Sequence, residues 1–132
     1  MYYHYRMIKK GIDILVIDDD PDLCQLMEMM LKVAGFTTTG CNNPLFIQNV
    51  LETIEPRAIL MDMLLSGTDG RDICRVLKSS AETKHKMIIM TSAHPDAEKT
   101  CREAGADDFL AKPFDMDILI KKVTDIINKI SS

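Results

Sequence analysis

Ile12-Asp13-Ile14-Leu15-Val16-Ile17-Asp18-Asp19-Asp20-Pro21 is the stretch on which the fold turns. Ile14 to Ile17 form a continuous apolar run rich in β-branched side chains, the pattern of a strand buried on both faces. The run stops abruptly at three aspartates. Asp20 then reads as a helix N-cap and Pro21 as a first-turn residue. Leu23, Leu26, Met27, Met30, Leu31 and Ala34 follow at helical spacing, and Gly35 closes the helix. A doubly buried strand feeding a helix through an acidic turn is one unit of a parallel α/β sheet.

Four more units follow. Phe36 to Gly40 is extended, and Pro44 to Thr53 reads as a helix with Leu45, Ile47, Val50, Leu51 and Ile54 as its apolar members. Arg57 to Asp62 is a third strand that again ends in a carboxylate. Ser66 to Gly70 is turn material, and a helix from about Asp69 to Ser79 carries Ile73, Val76 and Leu77. Lys86 to Thr91 is the fourth strand, followed by a short helix from Pro95 to Ala104 with Gly105 as its C-cap. Asp108 to Ala111 is the fifth strand, ahead of Lys112-Pro113. The last helix runs from about Asp115 to Ile130, with Met116, Leu119, Ile120, Val123, Ile126, Ile127 and Ile130 along one stripe. This alternation predicts a three-layer sandwich, a parallel sheet with helices on both faces. Ligands of such sheets bind beyond the carboxyl ends of the strands, where the strand order reverses.

The bulk properties agree with one globular domain. A chain of 132 residues buries roughly two-thirds of its unfolded surface and needs no covalent staples. Net charge is −4 with both signs scattered, which argues against nucleic acid or a membrane surface as a direct partner. The four cysteines, Cys24, Cys41, Cys74 and Cys101, form no CxxC pair, so reduced thiols in a cytoplasm are expected rather than zinc or disulfides. Ten methionines and no tryptophan suggest adaptable core packing. Residues 1–10 lack the apolar core of a signal peptide and read as a leader ahead of a domain at 11–132.

The informative polar residues all fall at strand ends. Strand one delivers Asp18, Asp19 and Asp20, strand three Asp62, strand four Thr91 and Ser92, and strand five Lys112. Each alone has an ordinary explanation: a helix cap, a loop acid, a turn hydroxyl, a solvated lysine. Their convergence on one edge of the sheet does not. Carboxylates about 4 Å apart repel by about 4 kcal/mol at an effective dielectric of 20. A hard divalent cation removes that cost, and Mg²⁺ suits one or two carboxylates, a backbone carbonyl and waters. A carboxylate shielded in this way can attack phosphorus, with Lys112 and Ser92 placed to hold the phosphoryl oxygens.

These residues resemble the receiver domain of bacterial two-component response regulators, of the stand-alone type. The matching pieces are Ile14 to Asp19, Asp62 with Asp69-Gly70, Ser92-Ala93, Gly105-Ala106 and Lys112-Pro113-Phe114, in the family's order across nearly the whole chain. The resemblance implies a flavodoxin-like (βα)5 fold with strand order 2-1-3-4-5. It implies a signalling switch rather than a metabolic enzyme, with Asp62 as phosphoacceptor. Asp19, Asp62 and the Leu64 backbone carbonyl would hold Mg²⁺ directly, and Asp18 through water. Lys112 would pair with Asp62 across a cis bond to Pro113. Ser92 would move to the phosphoryl group, and Phe109 would be the aromatic that turns inward with it. The implied partners are a sensor histidine kinase or histidine phosphotransfer protein and a separate effector, with a phosphorylation-dependent dimer as a further form of output.

Several positions depart from the family pattern. Leu65-Ser66 stands where a Met-Pro pair is usual, which predicts a freer loop. The segment from Ser92 to Gly105 is about two residues short, so Thr91 competes with Ser92 as the switch hydroxyl, and Ala93 favours Ser92. Leu64 and His94 flank the path of the hydrolytic water, and Leu64 cannot orient it, which predicts slow self-dephosphorylation. Two alternatives remain. One is a phosphatase of the haloacid-dehalogenase type with Asp18 as nucleophile, although Asp22 is unsuited to that motif and little chain is left for a cap. The other is a receiver-like interaction module that is not phosphorylated.

Overall fold

A computed structural model describes residues 8–131 of the protein, so residues 1–7 of the expected leader lie outside the described residues. Strand β1, Lys10–Ile17, opens the described fold. It is followed by α1 (Pro21–Val33), β2 (Thr38–Cys41), a single 3-10 turn (Pro44–Phe46), α2 (Ile47–Thr53) and β3 (Ile54–Asp62). Two-residue strands β4 (Leu64–Leu65) and β5 (Thr68–Asp69) make a small antiparallel ladder before α3 (Gly70–Ser79). The chain ends with β6 (Met87–Ser92), α4 (Ala97–Glu103), β7 (Asp108–Ala111) and α5 (Met116–Ser131).

The main sheet has five parallel strands in the order β2-β1-β3-β6-β7, which is the expected 2-1-3-4-5 once β4 and β5 are set aside. Alternation along each strand splits the core in two. Leu15, Ile17, Ile59, Met61, Ile88 and Met90 face one side and pack on α2, α3 and α4 through residues such as Leu51, Leu77 and Cys101. Ile14, Val16, Ala58, Leu60 and Ile89 face the other and pack on α1 and α5 through Met27, Leu31, Leu119 and Val123. Burial on both faces is why the strands carry no polar alternation. All four cysteines are free and buried within these layers.

Helix α1 starts as its sequence dictates. The Asp20 side chain accepts from the backbone N–H of Asp22 and Leu23, and Pro21 occupies the first turn. Its inward line is narrower than the apolar pattern suggests: Cys24, Met27 and Leu31 are buried, Leu23 and Met30 flank them, and Leu26 stays 46% exposed. A helix lying on one face of a sheet buries only the line it turns toward the strands. The same narrowing leaves Val76 exposed on α3, and Met116 and Ile130 on α5. Two boundaries also differ. Strand β3 begins at Ile54 because Lys10, Gly11 and Ile12 continue the ladder downward, so Lys10 already belongs to the sheet. Lys86 precedes β6 and is buried at 3% exposure, where its Nζ donates to Glu55 and, at 2.9 Å, to the Pro56 carbonyl.

Candidate functional site

The strand order reverses between β1 and β3, and the carboxyl ends of these two strands carry Asp18, Asp19 and Asp62. Each of the three offers a carboxylate oxygen lying within 4.8 Å of the other two. The oxygens predicted from sequence to converge do so. Lys112, just past β7, closes the cluster: its Nζ donates to Asp18 Oδ2 at 2.9 Å and to Asp62 Oδ2 at 3.1 Å. The bond to Lys112 was expected for Asp62 alone. The lysine is in fact shared, and Asp18 is its nearer partner. The Lys112-Pro113 peptide is cis, as expected.

The electrostatics follow from this crowding. Asp18 is 1% exposed, and its Oδ1 accepts from the Asp20 N–H at 3.0 Å. Burial pushes the Asp62 carboxyl above its ordinary range, Asp18 adds to the rise, and the pull of Lys112 does not offset both. Lys112 ends up above the usual lysine value, because its hydrogen bond to Asp18 and the charges of Asp18 and Asp62 outweigh its own desolvation. One cation against three acids leaves the edge short of positive charge. A donor set made only of carboxylate oxygen fits a hard divalent cation such as Mg²⁺.

The loop after Asp62 is not free. Leu64 pairs with Asp69 and Leu65 with Thr68, and Ser66 donates through both its N–H and its hydroxyl to Asp19 Oδ2, each at 2.9 Å. The expected looseness for want of proline is thus replaced by a tether, which no reading of the sequence anticipated. The Leu64 N–H approaches Asp62 Oδ1 at 3.4 Å, while its side chain is 54% exposed. Gly70 is buried against the acceptor strand: a Cβ there would meet the Asp62 carbonyl oxygen at 2.4 Å. Asp69 caps α3 and grips Arg71, whose Nη1 reaches Thr100 on α4 at 3.0 Å.

The hydroxyl-bearing strand end separates Thr91 from Ser92. Thr91 pairs in register with Asp62, is 1% exposed, and its Oγ1 has no hydrogen-bond partner. Ser92 points to the opposite face, the one that also holds Met90 and Phe109. Its Oγ accepts from the His94 N–H at 3.0 Å, which leaves its own proton to donate. Phe109, expected to turn inward on switching, is already buried at 6% exposure. It lines a cavity between α4 and α5 with Pro95, Glu98 and Phe114.

Fold and site together define the class: a doubly wound α/β domain with an acid cluster, closed by a lysine, at its switch point. The profile of the response regulator receiver domain matches residues 14–124. The DNA-binding response regulator MtrA of Mycolicibacterium smegmatis is 33% identical over 112 residues, 83% of this chain and 48% of that protein. The chain spans about half the length of the curated relatives it matches. A response regulator signal receiver domain from Bermanella marisrubri is 30% identical with a TM-score of 0.80, covering 92% of this chain and 100% of that one. The receiver domain of the sensor histidine kinase PA1611 from Pseudomonas aeruginosa PAO1, with a magnesium ion coordinated in its active site cleft, is 28% identical with a TM-score of 0.78, covering 89% of this chain and 98% of that one. The chain belongs to the response regulator receiver domain family. Its function is accordingly that of a phosphorylation-controlled signalling switch. Among the described residues no helix is long and apolar enough to cross a membrane.

Proposed function

We propose that Asp62 accepts a phosphoryl group from the phosphohistidine of a sensor kinase or phosphotransfer protein, in a Mg²⁺-dependent reaction in the cytoplasm. The observation that carries this reading is the Lys112 ammonium held between Asp18 and Asp62 beside Asp19, a cluster assembled from three strand ends. In the transfer, an Asp62 oxygen forms a bond to phosphorus as the donor's P–N bond breaks. The imidazole keeps the bonding pair and takes up a proton. Asp19, Asp62 and the Leu64 carbonyl would hold the cation, with Asp18 acting through water. Bound there, Mg²⁺ would relieve the carboxylate repulsion and draw charge from the phosphoryl oxygens.

Lys112 then has a better partner than a carboxylate, because a phosphoryl group brings nearly two negative charges. Ser92 can donate to another of its oxygens, and Phe109 can shift within its cavity into the space the hydroxyl leaves. The face formed by α4, β7 and α5 is thereby altered, a two-state response to local charge that an effector or a second copy would read. Apolar, exposed Leu64 gives the hydrolytic water no hydrogen bond, so self-dephosphorylation is slow, and an acyl-phosphate lifetime of seconds would contradict that part. The phosphatase alternative requires Asp18 as nucleophile, but both Asp18 oxygens are engaged and the residue is buried. Incubation with Mg²⁺ and acetyl phosphate, followed by intact mass measurement, tests the proposal. One phosphoryl adduct, lost in Asp62→Ala, is expected; an adduct that survives the substitution, or none on the native chain, refutes it.

A further inference from the structure

We infer that Ser66 is a positioning residue for the cation site, holding the Asp19 carboxylate and the acceptor loop together in the arrangement that admits Mg²⁺. The inference rests on the proposed roles of Asp19 and the Leu64 carbonyl. Both Ser66 donors, N–H and Oγ–H, meet the same oxygen of Asp19, Oδ2, so the second oxygen remains available to the cluster. The contact joins residues 47 apart in sequence, from the end of β1 to the loop beyond β3. Ser66 lies two residues after Leu64, in the turn that joins the two strands of the small ladder, so fixing Ser66 on Asp19 also restrains where the Leu64 peptide lies relative to the acids.

The backbone supplies a second, independent observation. Ser66 has φ +42 and Gly67 has φ +83, so both central residues of the Leu65–Thr68 hairpin turn are left-handed. Such a turn favours Asn, Asp or Gly at its first central position. Serine is no improvement for the turn itself, and its hydroxyl serves Asp19 instead. A proline could do neither job, having no N–H and a φ near −65°. Strained backbone that persists beside reactive groups is commonly part of how a site is arranged.

Calorimetric titration of Mg²⁺ into the native chain, Ser66→Ala and Ser66→Gly, with thermal unfolding of each in the absence of Mg²⁺, tests the inference. Both variants keep the N–H and lose the hydroxyl, and each is expected to bind Mg²⁺ about fivefold more weakly. Ser66→Gly relieves the left-handed strain and is expected to melt no lower than the native chain. Weaker binding without loss of stability is a combination that a purely structural serine would not produce. Native-like Mg²⁺ affinity, within twofold, in either variant overturns the role of Ser66. Asp19→Asn separates the two levels of the argument. If the native chain binds no Mg²⁺, or binds it equally well after Asp19→Asn, the site assignment fails and the inference with it.

Discussion

Gly70→Ala isolates how tightly the acceptor strand is packed against the start of α3. Glycine to alanine in a helix is ordinarily favourable, by about 0.5–1 kcal/mol from the lost freedom of the unfolded chain. Here the new methyl would lie 2.4 Å from the Asp62 carbonyl oxygen and 3.1 Å from both Cα and the carbonyl oxygen of Met63. Those neighbours are backbone and cannot swing aside. Reaching the 3.0 Å that real Cβ atoms respect needs a displacement of about 0.6 Å at the peptide that carries the acceptor. Overpacking of this kind costs about 1–3 kcal/mol, and the rigid partner puts it near the top of that range. Subtracting the entropic gain leaves a net loss of about 2 kcal/mol, roughly 8 °C in melting temperature for a domain of this size. Gly11→Ala is the matched control, because no described atom lies within 4 Å of its added Cβ. Chemical denaturation of both variants gives the stability, and the rate of adduct formation with acetyl phosphate should fall tenfold or more in Gly70→Ala alone, through misplacement of Asp62. If Gly70→Ala melts with or above Gly11→Ala, the close approach is not what holds the acceptor in place.

Asp62→Asn should raise the melting temperature at pH 7 without Mg²⁺, by roughly 2–5 °C. Because the folded carboxyl titrates above its unfolded value, its contribution is favourable at low pH and is lost as pH rises through the folded value. The gain should therefore shrink on acidification, and it should shrink again when Mg²⁺ is added; a gain that stays constant from pH 7 to pH 4 would contradict the assignment. The buried thiols Cys24 and Cys74, both pushed up to about 11 by desolvation, should resist iodoacetamide at pH 8 in the folded protein and react on unfolding, which mass spectrometry reads directly.

Much of the architecture is legible in the sequence because its strongest signals are the ones physics weights most. An unbroken run such as Ile14 to Ile17 has few homes other than a doubly covered strand, and the acids and Lys112 fall at strand ends where the topology must gather them. The rest depends on geometry that residue types do not encode. The bonds from Ser66 to Asp19 exist only because a serine adopts φ +42. The sharing of Lys112 with Asp18 depends on which way a buried carboxylate turns. The stripes of α1 and α5 came out too wide because periodicity marks an apolar face without saying how much of it a flat sheet can cover. By sequence Lys86 is an ordinary strand residue; its burial becomes intelligible only once Glu55 and the Pro56 carbonyl are beside it.

Position 112 joins two tasks through separate atoms. Its side chain supplies the ammonium, while its peptide nitrogen donates to the Ser92 carbonyl at 2.9 Å and stitches the exit of β7 to the end of β6. Any residue except proline keeps that stitch. An engineer could therefore rewrite the charge at this corner, with arginine, glutamine or a shorter amine, and leave the weave of the sheet as it was.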